Sequence, residues 1–355
     1  MSKFNKDNKG HLQGYPLFLG EPLGVLDTIN VQYPQLEDLY QEQLAQLWNE
    51  FEVDLTHDRL DMVNAPPGVV DLMVKTIMWQ TVADSVASRS IVETMGEFIT
   101  NGELMNLATI WSFFEVIHAR TYSHIIKQTF IEPNDLLKEI YANSEVLSRS
   151  DVIVNAFDRL AAVDVKDTEA VRRALLLALI ALFTLESIAF MASFATTFAI
   201  VEKGWFQGIG KLVGLICRDE VLHTRNASTV VKLVLEDPEW FSTLYSCKEE
   251  VKELLDCVVE NEVKWANYAF SEGREVSGLN ATILSDYVYH MAAPVYRLFG
   301  EEPLKEVPVN PIPYITKYID TSKMQTANME LQNSSYLIGT IEDDTQDLDF
   351  GDMEG

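Results

Sequence analysis

The chain has 355 residues, enough for one large domain or two ordinary ones, and 47% of them are hydrophobic, so a sizeable core can be built. Its 54 acidic residues outnumber its 27 basic ones, for a formal charge of −27. That excess argues against nucleic acid and anionic membranes as partners, because both are polyanions, and leaves bound cations as one way of neutralising the acids.

Three cysteines, Cys217, Cys247 and Cys257, form no CxxC pair and no even-numbered framework, and the N-terminal MSKFNKDNKG lacks the apolar run of a secretion signal. A reducing, cytoplasmic setting is therefore expected. After an N-terminal extension over residues 1–20, the segment 35–51 is predicted to be helical, with Leu36, Leu39, Tyr40, Leu44, Leu47 and Trp48 on one stripe. Pro66 and Pro67 break the chain, and a periodic run then covers 69–92, carrying Asp84 in TVADSVASRS. The next helix, 104–130, contains FFEVIHARTY, in which Glu115, His118 and Tyr122 follow one another at spacings of three and four. Such spacing places an acid, an imidazole and a phenol in one column of a helix face. Large apolar neighbours, Trp111, Phe113, Phe114, Val116 and Ile117, predict that part of this column is buried.

Shorter helical runs follow at 134–143 and 151–162, and then a long one at 168–201. The apolar part of that run, 174–201, is long enough to span a bilayer. Glu186 sits near its middle, however, where an acid costs about 2.5–3.5 kcal/mol even on the most lenient insertion scale. It is predicted to be the central buried helix of a soluble bundle. The run 211–235 contains CRDEVLH, which repeats the E-x-x-H spacing with Glu220 and His223; helices over 247–271 and 280–298 follow. NPIPYI closes the compact domain, taken as 21–320, and residues 321–355 are expected to form a flexible tail. Residues 341–355 hold seven acids and no base, with Leu348, Phe350 and Met353 spaced among them. A plain solubilising tail would explain the acids, whereas the spaced apolar residues favour a tail that binds a partner. No segment alternates polar and apolar residues well enough for a substantial sheet, so the fold class is all-α.

The buried acids carry the chemistry. A carboxylate in an apolar interior is costly unless it is paired, protonated or bound to a metal. No lysine or arginine shares the Glu186 face within two turns, so pairing within that helix is excluded. A single E-x-x-H match means little in so acidic a chain, but two of only six histidines show it. Four helices then supply Asp84, Glu115, Glu186 and Glu220 with His118 and His223, the donor set of ferritin-like dimetal bundles. Four carboxylates neutralise two divalent cations, and hard oxygen donors with some imidazole suit iron or manganese better than zinc or copper. The plainer reading is a set of unrelated buried acids satisfied by hydrogen bonds.

FFEVIHARTYSHII, LESIAF, ICRDEVLH, DSVASRS, LNATILSDYV, NPIPYI and SSYLIG before an acidic end together resemble the small, radical-carrying subunit of class I ribonucleotide reductase, from about residue 20 onward. The resemblance implies an oxidoreductase subunit with an all-α, ferritin-like helical bundle and two iron ions, manganese being the other option. It implies that Asp84, Glu115 and His118 bind one ion and Glu186, Glu220 and His223 the other, with Glu115 and Glu220 bridging. Tyr122 then matches the tyrosine that dioxygen and the metals convert to a stable radical, and Phe190, Phe194 and Ile216 match the apolar pocket around it. Trp48 and Asp219 match an electron-transfer relay, with His118 bonded to Asp219 through its second nitrogen. Tyr336 matches the relay tyrosine at the boundary with a large subunit, which the tail would dock and where ribonucleotides become deoxyribonucleotides. A homodimer is implied as well. Two other functions share the metal core: iron storage, and an oxidase or monooxygenase acting directly on a small substrate.

Overall fold

Proline and short polar side chains set where the helices begin. Pro34, Pro67, Pro133 and Pro238 each stand in the first turn of a helix, where the missing N–H costs nothing. Asn101, Asn143, Asp167, Asp237 and Asn280 accept a hydrogen bond from a first-turn backbone N–H and cap five starts, one of them the Pro238 start. A computed structural model of the chain describes residues 4–10 and 14–319, so Tyr336 and the predicted tail lie outside the described residues.

In chain order the helices are α1 (Pro34–Ala45), α2 (Thr56–Asn64), α3 (Pro67–Ser90), α4 (Gly102–Thr129), α5 (Pro133–Ala142), α6 (Ser144–Ser148) and α7 (Asp151–Ala161). There follow α8 (Thr168–Thr184), α9 (Phe190–Val201), α10 (Gln207–Leu235), α11 (Pro238–Ser246), α12 (Lys248–Ala269), α13 (Ala281–Leu298) and the short α14 (Thr316–Ile319). Single π turns, Ile91–Met95 and Leu185–Ala189, follow α3 and join α8 to α9. Among the described residues there is no strand, only the isolated bridges Phe18–Ile99 and Val276–Leu279, and the fold is all-α as expected.

The run from α8 through the π turn to α9 is the axis of the bundle. Every residue from 175 to 200 is buried, as befits a helix that is apolar all round. By length and composition it passes as a membrane span, but 94% of its most apolar window lies inside the fold. Around it α3 packs on α4 and α9, α10 on α8, α9 and the π turn, and α1 on α4 and α10.

Three local features differ from the sequence reading. Helix α1 stops at Ala45 rather than at 51, Gln46 turning its N–H back to the Gln43 carbonyl. The chain then leaves the helix, and Trp48 enters the core from irregular backbone, 4% exposed. Helix α2 has no apolar stripe to announce it, because the residue it buries is Asp58. Asp58 Oδ1 and Oδ2 accept from the N–H groups of Ile209 (2.8 Å) and Gly208 (3.1 Å), and Asp61 Oδ2 accepts from Phe206 N–H at 2.8 Å. Phe206 is in the left-handed region (φ 52°) and offers α10 no side-chain cap, so α2 supplies the cap from outside. Finally, Leu17 and Phe18, inside the predicted extension, are buried and pair with the 98–100 backbone through Leu19 N–H to Phe98 O (3.0 Å) and Thr100 N–H to Leu17 O (2.9 Å).

Candidate metal centre

Helix α4 carries Glu115, His118 and Tyr122 on its inner face, and α10 carries Asp219, Glu220 and His223 opposite; all six are fully buried. One donor atom from each of Glu115, His118, Glu220 and His223 lies within 4.8 Å of all the others. Both histidines turn Nδ1 inward. His118 Nδ1 is 3.6 Å from Glu115 Oε2 and 3.0 Å from Glu220 Oε1. His223 Nδ1 is 2.8 Å from Glu115 Oε1 and 3.0 Å from Glu220 Oε2. Each glutamate therefore offers one oxygen to each histidine, the disposition of two carboxylates shared between two positions.

The other two of the predicted six, Asp84 on α3 and Glu186 in the π turn, fall outside that close group of four. Both are fully buried, and among the described residues no donor group reaches either oxygen of either carboxyl, Glu186 having only the Glu220 carboxyl within bonding reach. Burial first, and then the charge of Glu115, pushes Asp84 well above the usual carboxylate range. Burial and then Glu220 do the same to Glu186. Glu220 goes the other way: His223 and His118 outweigh its burial and hold it below the usual range. Burial pulls on both imidazoles, but acidic neighbours outweigh it. His118 stands well above its ordinary value through hydrogen bonds with Asp219, Glu115 and Glu220, and His223 is raised to about 9 by Glu220 and Glu115.

These features fit a buried site for cations. Four carboxyl groups without a single lysine or arginine among them would be a heavy desolvation cost left uncompensated. Two divalent ions would meet that deficit, and Asp84, Glu115, Glu186, Glu220 and His118 Nδ1 offer atoms without hydrogen-bond partners that could hold them. The outer nitrogens agree. His118 Nε2 lies 3.2 Å from Asp219 Oδ2, the second-nitrogen contact expected from the sequence, which fixes Nδ1 as the inward donor.

The outer faces of the two histidines differ. Asp219 Oδ2 also accepts the Trp48 indole N–H at 2.6 Å, and the Trp48 and His118 rings lie nearly parallel, 6.2 Å apart. His223 Nε2 instead meets the Gln43 amide at 2.5 Å, and Asn226 Nδ2 donates to Gln43 Oε1 at 3.1 Å. Gln43 and Asn226 were not singled out from the sequence. The available signal was a polar residue at the 36–39–43 positions of the α1 stripe, and an asparagine one helical step beyond His223. Trp111, whose indole N–H reaches Glu115 Oε1 at 3.2 Å, was read only as a bulky neighbour.

Tyr122 is fully buried, and its hydroxyl has no hydrogen-bond partner among the described residues. Burial raises its pKa well above the ordinary phenol value, with Asp84 and Glu220 adding to the effect. Phe190 and Phe194, stacked at 5.8 Å, and Ile216 are fully buried too.

The model of the ribonucleotide reductase small chain matches residues 26–311. The chain belongs to that family. The beta subunit of ribonucleoside-diphosphate reductase from Haemophilus influenzae is 30% identical over 98% of this chain and 97% of its own length. A beta subunit of Escherichia coli O157:H7 is 30% identical over 94% of each, and that of phage T4 is 25% identical over 98% and 97%. Among solved structures, the R2 subunit of Clostridium botulinum superposes with a TM-score of 0.78 at 22% identity, covering 90% of this chain and 98% of that one. The dimanganese(II)-NrdF of Streptococcus sanguinis gives 0.67 at 18%, covering 79% and 93%. The bundle is thus the ribonucleotide reductase small-chain fold, and its buried Glu/His cluster is a site fit for a dimetal centre.

Proposed function

We propose that Asp84, Glu115, His118, Glu186, Glu220 and His223 bind two iron ions, and that Tyr122 holds a radical which a large subunit uses to reduce ribonucleoside diphosphates. Family membership makes the chain a reductase small subunit. The observation that carries the site reading is the arrangement of Glu115 and Glu220, each with one oxygen toward each inward Nδ1. Bound metal ions with dioxygen would supply the oxidising equivalent, and the same donor set accepts manganese.

The residues then divide the work. Tyr122 gives up one electron and the proton on Oη, and Asp84 is the carboxyl whose charge acts on it most strongly. With no polar side chain bonded to Oη among the described residues, and with the fully buried Phe190, Phe194 and Ile216 read as lining its pocket, the product would be shielded from reductants. Asp219 ties the cluster to Trp48 through one shared oxygen, which supports a relay leading outward along His118, Asp219 and Trp48. With His223 Nδ1 committed to an ion, Nε2 carries the proton. Gln43 and Asn226 would then both turn their amides, so that Gln43 Oε1 accepts from Nε2 and Gln43 N–H donates to Asn226 Oδ1, which has no other partner among the described residues. We read Tyr336 and the acidic tail as the continuation of the relay and the docking segment, and the chain as a homodimer; the alternation of acids with Leu348, Phe350 and Met353 supports the docking role. Neither iron storage nor direct substrate oxidation calls for the Trp48–Asp219 link.

The test is to add ferrous iron and dioxygen to metal-free protein and record the electron paramagnetic resonance spectrum. The expected result is a tyrosyl doublet that disappears in Tyr122→Phe.

A further inference from the structure

Arg149 follows α6 in a short link, yet it is 4% exposed and its guanidinium lies deep in the bundle. It sits between two indoles, 3.5 Å from the ring centre of Trp79 on α3 and 4.5 Å from that of Trp265 on α12. Nε and Nη2 fork onto the Glu262 carboxylate at 2.7 and 2.5 Å. Nη2 also donates to the backbone carbonyl of Ala189 at 3.1 Å.

Ala189 is the last residue of the π turn that carries Glu186. The turn is closed by the Phe190 N–H reaching back five residues to Leu185 O, so one extra residue is accommodated there. Single π turns inside α-helices are uncommon and tend to mark functional sites. No donor group holds the Glu186 carboxyl among the described residues, and its one bonding contact is with another acid, Glu220. Its place is therefore set by its backbone. The exit of that backbone is held twice by one cluster, through Arg149 on Ala189 O and through Trp79 against Phe190, 5.4 Å between ring centres.

A buried ion pair is a poor choice for stability alone, because apolar residues of similar volume often serve as well or better. What they lack is direction. A guanidinium presents several N–H groups in a fixed plane and can hold a carboxylate and a carbonyl together. We propose that Arg149, oriented by Glu262, is a positioning residue that pins the π turn so that Glu186 faces the second metal position. This rests on the reading of Glu186 as a metal ligand.

The experiment compares wild type with the double variant Arg149→Met, Glu262→Met, which removes both charges together. Manganese(II) is titrated into metal-free protein under equilibrium conditions, and amide hydrogen exchange is followed over residues 185–194 without metal. The double variant is expected to fold and to bind one ion as wild type does. It should bind the second about tenfold or more weakly, within the range that outer partners of ligands command, and should exchange faster across the turn. Two ions bound within about twofold of wild type, with unchanged exchange, overturn the proposal. If the double variant fails to fold, Arg149→Lys decides, since its ammonium keeps the charge opposite Glu262 but lacks the fork that reaches Ala189 O. Weakened second-ion binding in that variant supports the clamp, and wild-type binding overturns it. Wild-type protein that takes up fewer than two ions would overturn the dimetal reading itself, and the clamp with it.

Discussion

Tyr122 ends the inner column of α4 as a phenol whose hydroxyl has no partner among the described residues, so it does little for stability. Tyr122→Phe removes no hydrogen bond seen in the fold, and its melting temperature should stay within a few degrees of wild type in a thermal scan, while the radical is lost. Trp48→Phe removes the donor to Asp219 Oδ2. Metal uptake and radical yield should survive, and turnover with the large subunit should fall about 10–100-fold in a steady-state assay. The ionisable groups of the centre predict a pH effect. His223 is raised from 6.5 to about 9, and His118, Asp84 and Glu186 are raised as well. Each raised group binds more protons folded than unfolded, so its contribution is complete below the unfolded pKa and disappears as pH climbs through the folded one. Glu220, held low, works oppositely, but its window lies below pH 4.5. Metal-free protein should therefore lose thermal stability as pH rises, Asp84 and Glu186 contributing from 3.8 and 4.5 upward and His223 between 6.5 and about 9. Metal loading should release protons and flatten that loss, which calorimetry in two buffers of different ionisation enthalpy would show. A melting point independent of pH in the metal-free form would contradict this account of the cluster.

At the scale of elements, the inner faces of α3, α4 and α10 were legible from the sequence because each carries its chemical residues at helical spacing within long apolar runs. Glu186 was legible for the opposite reason, as the lone acid in a run that is apolar all round. The π turn that presents it was not, because a single inserted residue leaves the apolar pattern of 175–200 unbroken. Nor was α2, whose buried residue is an acid serving another helix. Asp58 makes two charge-assisted bonds to the start of α10, the helix that bears Asp219, Glu220 and His223. Asp58→Ala should destabilise the fold by about 1–3 kcal/mol in chemical denaturation and loosen metal binding with it, whereas Asp38→Ala on the exposed face of α1 should do neither. The end of α1 was misplaced because Leu47 and Trp48 continue its apolar stripe past the point where the backbone leaves the helix. Gln43 and Asn226 were invisible for a related reason: a polar side chain in an apolar stripe declares its partner only once α1 and α10 are packed together.

For the whole molecule, α4 and α10 bring together a Glu/His group fit for cations, Tyr122 stands one turn beyond His118 on α4, and Asp219 links His118 to Trp48. Deleting residues 337–355 should leave metal content and radical yield unchanged and abolish turnover with the large subunit; retained turnover would refute the docking role of the acidic end. All of this depends on one event at the centre. Ferrous iron and dioxygen should give metal-free wild-type protein an electron paramagnetic resonance doublet from a tyrosyl radical, with two iron ions bound per chain and no doublet in Tyr122→Phe. Absence of any radical after iron or manganese loading, or a doublet that persists in Tyr122→Phe, would contradict the account.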